Sequence, residues 1–203
     1  FPMNKSVLIA MSGGVDSSVA AHLMLAEGFR CRGVTMRLLP EDDGQNCADA
    51  ESVCERLGIP FSALDLIGDF EEAVIRPFIQ VYQSGGTPNP CVDCNRCLKF
   101  SRLLEAAEQA GLFYVATGHY ARVEQSPQGR RLLKKALDGG QDQSYFLYTL
   151  TQRQLEHVQF PLGGLCKQEV RALAERLGFV NARRRDSQDI CFIPGGDYGA
   201  FIE

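Results

Sequence analysis

Seven consecutive residues, Ser12-Gly13-Gly14-Val15-Asp16-Ser17-Ser18, have the composition of an anion cradle. Glycines let a backbone come close to a phosphate, and the N–H groups of a turn and a helix N-terminus then face the anion. The hydroxyls of Ser12, Ser17 and Ser18 add donors. Asp16 is out of place beside a polyphosphate unless a Mg²⁺ ion or a reacting group offsets its charge. There is no Gly-Lys-Ser/Thr ending, so this is not a Walker loop, and no GxGxxG dinucleotide fingerprint is present. A serine-capped strand-to-helix turn is the plain alternative, but it leaves most of these seven residues unexplained.

The second group is made of cysteines. Cys91, Cys94 and Cys97 stand in Pro88-Asn89-Pro90-Cys91-Val92-Asp93-Cys94-Asn95-Arg96-Cys97-Leu98-Lys99-Phe100, and Cys191 in Asp186-Ser187-Gln188-Asp189-Ile190-Cys191-Phe192-Ile193. A CxxC pair suits a redox couple, a zinc site or an iron–sulfur site. A four-cysteine zinc site needs a partner pair, and only Cys191 follows, with Cys166 the nearest extra candidate. Arg96 and Lys99 are expected to lower the Cys94 thiol pKa and raise its reactivity. Cys31, Cys47, Cys54, Cys97 and Cys166 read as packing residues. His119, alone, reads equally as a hydrogen-bonded loop residue, and Arg183–Arg185 as a solvated face or a phosphate contact.

These residues must be positioned by an alternation of strands and helices. Ser6–Met11 reads as a buried strand, Val15–Glu27 as a helix stopped by Gly28, Cys31–Arg37 as a strand and Pro40–Asn46 as a polar loop. A helix over Ala48–Leu57, a strand over Phe61–Leu66 and a helix over Phe70–Tyr82 follow. Ser84–Asn95 reads as a loop, because Gly85, Gly86, Pro88 and Pro90 break the pattern. Phe100–Ala110 is helical and Tyr114–Thr117 a fourth strand. His119–Glu124 and Arg131–Ala136 form a hairpin, and Lys167–Leu177 is a helix capped by Gly178. The fold class expected is α/β: a doubly wound parallel sheet with helices on both faces and a small hairpin insertion.

The 203 residues suffice for one domain, and a net charge of −4 argues against a strongly basic free-standing nucleic-acid binder. No apolar run is long enough to span a membrane, and Phe1–Lys5 lacks the apolar stretch of a signal peptide. Met3 is the expected natural start. Eight cysteines without an export signal point to reduced thiols in the cytoplasm, with no membrane partner.

The glycine loop matches the SGGxDS signature of the ATP-pyrophosphatase (PP-loop) superfamily. In chain order, SGGVDSS, TPNPCVDCNRCLKF, ATGHYAR, DQSYFLYTL and DSQDICFI resemble the bacterial tRNA-uridine 2-sulfurtransferases, from Val7 to about Ile193. That resemblance implies a Rossmann-like PP-loop catalytic domain over 3–193. It makes 194–203 the start of a linker domain that leads to a β-barrel outside this chain. It implies ATP and Mg²⁺ as cofactors, tRNA as substrate, and a persulfide-donating relay protein or sulfide as the sulfur source. Nucleotide contacts are expected at Ala10, Met11, Ser12, Gly13, Gly14, Val15, Asp16, Ser17, Met36 and Gly118. Contacts with tRNA are expected at Asn89, Pro90, Cys91, His119, Gln141, Asp142 and Gln143.

The implied reaction is adenylation of the wobble uridine O2, then sulfur transfer to C2. Cys191 carries the persulfide, Cys94 closes a disulfide with it, and Asp16 serves the ATP half-reaction. Two features depart from the family pattern. Cys91 stands where many members have Asp, and Gln141 where Lys is common. With Cys91 present, Cys91, Cys94 and Cys191 offer three ligands for a [4Fe–4S] cluster, so persulfide and cluster chemistry both stay open. Another PP-loop synthetase or amidotransferase would not need the Cys94/Cys191 pair. A non-catalytic iron- or zinc-binding module would keep the metal without consuming ATP.

Overall fold

A computed structural model describes residues 5–40, 44–184, 190–193 and 198–202. Its main sheet has five strands: β1 (Ser6–Ala10), β2 (Arg30–Arg37), β3 (Phe61–Asp65), β4 (Tyr114–Ala116) and β7 (Val158–Gln159). They are parallel and ordered β3-β2-β1-β4-β7. A two-stranded antiparallel hairpin, β5 (Ala121–Gln125) and β6 (Arg131–Lys135), stands apart from it.

All five residues of β1 are buried, as a central parallel strand covered on both faces requires. Alternation splits them between two cores. Val7 and Ile9 face α1 (Val15–Ala26), α2 (Gln45–Leu57) and α8 (Lys167–Leu177). Leu8 and Ala10 face Phe100, Leu103, Leu104 and Ala107 of α6 (Phe100–Gln109) and Leu155 of α7 (Gln152–His157). Helices therefore cover both faces, as expected. β1 pairs with β2 on one side and β4 on the other. The chain order reverses there, and in doubly wound sheets ligands bind at the carboxyl ends of the strands at such a point.

The expected helix over 70–82 is a longer helical run. It comprises α3 (Ile67–Phe70), a π-turn over Glu71–Ile75 and α4 (Arg76–Gln83). The larger correction concerns the cysteine segment. Pro90–Asp93 is helical (α5) and runs through a π-turn, Cys94–Lys99, directly into α6, so Cys94 lies on a helix rather than in a loop. The prolines misled because Pro90 occupies the first helical position, where its missing N–H is harmless. Asn89 caps that end, its Oδ1 accepting from the Val92 N–H at 3.3 Å.

Four elements had no counterpart in the pattern: a 3₁₀ turn over Ser144–Leu147, α7, the two-residue β7, and α9 (Tyr198–Ile202). A third core gathers Phe70, Val74, Phe78, Cys94, Leu98, Phe192 and Ile193 beyond the sheet end. Phe201 of α9 packs edge-on against Phe78, with ring centroids 6.3 Å apart. Met3, Arg185, Asp186–Asp189 and half of the segment expected to open a linker domain (194–197 and 203) lie outside the described residues.

Candidate nucleotide and thiol site

The glycine loop is held from three sides. The Met11 N–H continues the ladder to the Val34 carbonyl at 2.8 Å, and the buried Thr35 hydroxyl donates to the Met11 carbonyl at 2.7 Å. Gly13 has φ +72°, and a Cβ there would come within 2.5 Å of the Asn46 carbonyl oxygen. Only glycine fits that position. Ser17 Oγ accepts from the Ser12 N–H at 3.2 Å, and Ser17 and Ser18 both donate to the Gly14 carbonyl at 3.0 Å. Asn181, 3% exposed, donates through Nδ2 to the Gly13 carbonyl at 2.8 Å and to Ser18 Oγ at 2.9 Å. Nothing in the sequence marks Asn181, because an asparagine between two helices carries no signal of its own.

Gly118, expected near the nucleotide, lies against this loop. A Cβ on it would meet the Ser17 nitrogen at 2.8 Å and the Asp16 carbonyl carbon at 2.9 Å. Met36, at the carboxyl end of β2, is half-buried against the two cores beside it.

The carboxylate of Asp16 has a counter-charge in the protein itself. Lys167 Nζ donates to both Asp16 oxygens at 2.7 Å, and the Tyr120 hydroxyl donates to Oδ1 at 3.0 Å. The offset expected from Mg²⁺ or a reacting group thus comes from Lys167, the first residue of α8, which nothing in the sequence marks. The described residues do not by themselves build a Mg²⁺ site. The Asp16 oxygens are engaged by Lys167 and Tyr120, and among the described residues no three His, Cys, Asp or Glu side chains are grouped to hold a metal ion.

The same holds for the cluster expected on Cys91, Cys94 and Cys191. Cys94 is 6% exposed and packed in the third core, whereas Cys91 and Cys191 are exposed. The three do not form a metal-holding group. They do lie in one neighbourhood. Cys94 shares its core with Phe192 and Ile193, which directly follow Cys191. All eight cysteines are free thiols.

Burial pushes the Cys94 thiol up to about 11; Lys99 works against that, while Cys191, Cys91 and Cys97 add to it. The expected lowering by basic neighbours is therefore reversed: Lys99 acts in the expected sense but loses to desolvation. Arg96 instead pairs with Asp93 at 2.8 Å. Cys191 is exposed as a residue, yet desolvation around its thiol raises it as well, with Lys99 working against the rise. Cys97, read as a packing residue, is exposed, while Cys31 and Cys54 are buried as expected. Cys47 and Cys166 are half-buried, and the Cys166 N–H donates to Glu169 at 2.8 Å at the start of α8.

The residues expected to touch tRNA divide into three sets. Pro90 and Cys91 open the cysteine helix, and Asn89 caps it. His119 contacts Thr117 Oγ1 through Nδ1 at 2.8 Å and lies between the rings of Phe100 and Phe160. Burial, with Lys99 nearby, pushes its pKa down to about 3, so it is a neutral imidazole. Gln141, Asp142 and Gln143 form a knot under the hairpin. Gln141 lines a pocket of about 520 Å³ with Asp138, Lys167 and Glu169. Asp142 accepts from the Ala136 N–H at 2.9 Å and from the Ser144 hydroxyl at 2.8 Å. Burial pushes its carboxyl up, but those bonds, the Ser144 N–H and Lys135 outweigh it and hold the pKa below the usual value. Gln143 Oε1 accepts from the Tyr120 N–H at 3.0 Å. Arg184 pairs with Asp49 at 2.7 Å and Arg183 with Glu175 at 3.2 Å, so both described arginines of the basic run have partners within the chain.

Sheet order, loop and switch point together define a Rossmann-like nucleotide-binding domain of the PP-loop kind. The chain belongs to the tRNA methyl transferase HUP domain family, whose pattern matches residues 5–195. It is 54% identical over 206 residues to the tRNA-specific 2-thiouridylase MnmA of Syntrophotalea carbinolica, covering 98% of this chain and 58% of that protein. It is 50% identical over 214 residues to tRNA-specific 2-thiouridylase MnmA 1 of Caldanaerobacter subterraneus, covering 99% and 59%. The chain thus spans less than two thirds of the relatives it matches. A 4-thiouridine synthetase solved with RNA and ATP has the same fold, with TM-score 0.62 and 20% identity over 92% of this chain and 44% of that one.

Proposed function

We propose that this chain is the ATP-using, sulfur-transferring part of a tRNA-uridine 2-sulfurtransferase. One observation carries the reading: ninety-seven positions apart in sequence, Cys94 and the Cys191 segment share one apolar core beyond the end of the sheet that holds the glycine loop. A PP-loop synthetase or amidotransferase has no use for that pairing.

In this reading the loop amides and the exposed Ser12 hydroxyl hold the ATP phosphates, while Ser17 and Ser18, whose hydroxyls donate to the Gly14 carbonyl, fix the loop's shape, with Met36 and Gly118 bordering the nucleotide. The Asp16–Lys167 pair keeps a cation beside the α-phosphate while cancelling the carboxylate's repulsion. Attack of the uridine O2 on that phosphorus releases pyrophosphate and makes the oxygen a leaving group. A persulfide on Cys191, received as sulfane sulfur from a persulfide-donating relay protein, delivers its outer sulfur to C2. Cys94 then attacks the Cys191 Sγ, breaking its bond to the transferred sulfur and closing a disulfide as AMP departs from C2, and an external thiol reductant reopens that disulfide for the next turnover. Because Cys94 is a neutral thiol in its buried state, its proton must leave as that bond forms. Asn89, Pro90, Cys91, His119 and Gln141–Gln143 border the path of the RNA. Free thiols throughout suit a cytoplasmic setting.

The test uses the full-length protein with tRNA, ATP and a sulfur donor. Cys94→Ser and Cys191→Ser should each abolish 2-thiouridine, measured by mass spectrometry of digested tRNA, and Cys97→Ser should leave most of it. An active Cys191→Ser enzyme would overturn the reading.

A further inference from the structure

Two exposed tyrosines stand beside the cysteine helix. Tyr145 is 64% exposed and Tyr148 66%, on and directly after the 3₁₀ turn Ser144–Leu147. Their rings contact each other, with centroids 6.3 Å apart and planes inclined by 33°. Tyr145 also meets Phe146 at 5.4 Å. Large aromatics left bare as a pair usually mark an interaction surface.

The ledge is rigidly placed. Leu147 and Leu150 anchor it in the second core with Leu133 of β6 and Val123 of β5. Asn95, the neighbour of Cys94 and 2% exposed, donates through Nδ2 to the Phe146 carbonyl at 3.0 Å. The rings are therefore fixed relative to the helix that carries Cys91 and Cys94.

The flank is basic. From Ala121 to Lys135 the hairpin carries Arg122, Arg130, Arg131, Lys134 and Lys135 against the single acid Glu124, in a chain whose net charge is −4. Glu124 pairs with both Arg122 and Lys134. The hairpin is tied to the ledge by reciprocal bonds between Gln152 and the Arg131 backbone at 3.0 and 2.9 Å. It is tied again by the bond from the Ala136 N–H to Asp142.

We propose that Tyr145 and Tyr148 form a stacking platform for unpaired bases of the RNA substrate, with the β5–β6 hairpin holding the adjoining phosphates. The inference rests on the RNA-thiolation reading above. Flat aromatic faces beside a cationic track are what single-stranded nucleic acid requires, because every base has a π-face and every linkage a negative charge. A protein partner would have no particular need for the cationic track. The platform's position beside Cys94 suits bases that flank the one presented for chemistry.

The experiment uses the full-length protein and a fluorescently labelled anticodon stem–loop RNA, with affinity read by anisotropy at two salt concentrations. The double variant Tyr145→Ala/Tyr148→Ala should weaken binding by roughly 5-fold or more per lost ring, while a fully paired duplex of equal length is bound as before. Tyr145→Phe/Tyr148→Phe, which keeps the rings, should bind like the wild type and serves as the control for folding. Lys134→Glu/Lys135→Glu should weaken binding and flatten its salt dependence. The ATP affinity of all three variants should be unchanged. An alanine double variant that binds the stem–loop like the wild type would overturn the platform. So would wild-type self-association that the alanine variant abolishes. Wild-type protein that forms no 2-thiouridine would instead sink the underlying reading, so the two failures are separable.

Discussion

Lys167 Nζ donates to both carboxylate oxygens of Asp16 at 2.7 Å across 151 positions of sequence. The pair joins the first turn of α1 to the first residue of α8, and both side chains are largely shielded from water. In so sheltered a place each charge depends on the other.

Asp16→Ala and Lys167→Ala should therefore both impair the ATP half-reaction. Pyrophosphate release in the full-length protein should fall by roughly 10²-fold or more in each, as when a preorganised charge is removed from a reaction centre. Each truncation also strands a partner and should cost about 1–3 kcal/mol in urea denaturation. Normal pyrophosphate release in either variant would remove the pair from the reaction.

Gly118→Ala tests the close approach between the end of β4 and the start of α1. The added methyl would press on the Ser17 nitrogen and the Asp16 carbonyl carbon, backbone atoms that cannot swing aside. ATP affinity by calorimetry should drop at least 10-fold and the melting temperature should fall. Wild-type affinity would mean that the helix start is not where the phosphates bind.

His119 should not titrate between pH 5 and 8, because burial holds its pKa near 3 rather than the ordinary 6.5. The native state favours the neutral ring, so the related stability is present in full above pH 6.5. It is lost as pH falls from 6.5 towards 3. NMR of the ring protons checks the first point, and a flattened acid limb of the stability profile in His119→Gln the second. A midpoint near 6.5 would contradict the burial described.

Cys94 should be a slow thiol. With its pKa near 11, alkylation by iodoacetamide at pH 7 should be far slower than that of a free cysteine and should rise with pH well beyond 9. Peptide mass mapping after timed labelling reads this residue by residue. Rapid labelling of Cys94 at neutral pH would show that the third core opens in solution.

Much of the site was legible because its signals are local. The glycine loop lies between a strand and a helix and says so in consecutive residues, and α8 was delimited to the residue by its periodicity and Gly178. What escaped is non-local. Lys167 and Asn181 look like ordinary helix-start and linker residues, and only folding brings them to the loop. The Cys94 helix was hidden by prolines that start helices as readily as they break them. β7 is two residues long and has too little sequence for a periodicity. The sense of the Cys94 shift was misjudged because charged neighbours are visible in a sequence and burial is not.

The most direct test is product stoichiometry in the full-length protein supplied with tRNA, ATP and a sulfur donor. One AMP and one pyrophosphate should appear for each 2-thiouridine formed, since no Walker lysine is present to support γ-phosphate transfer. Nucleotide analysis that finds ADP as the main product, or 2-thiouridine formed without ATP cleavage, would contradict the account.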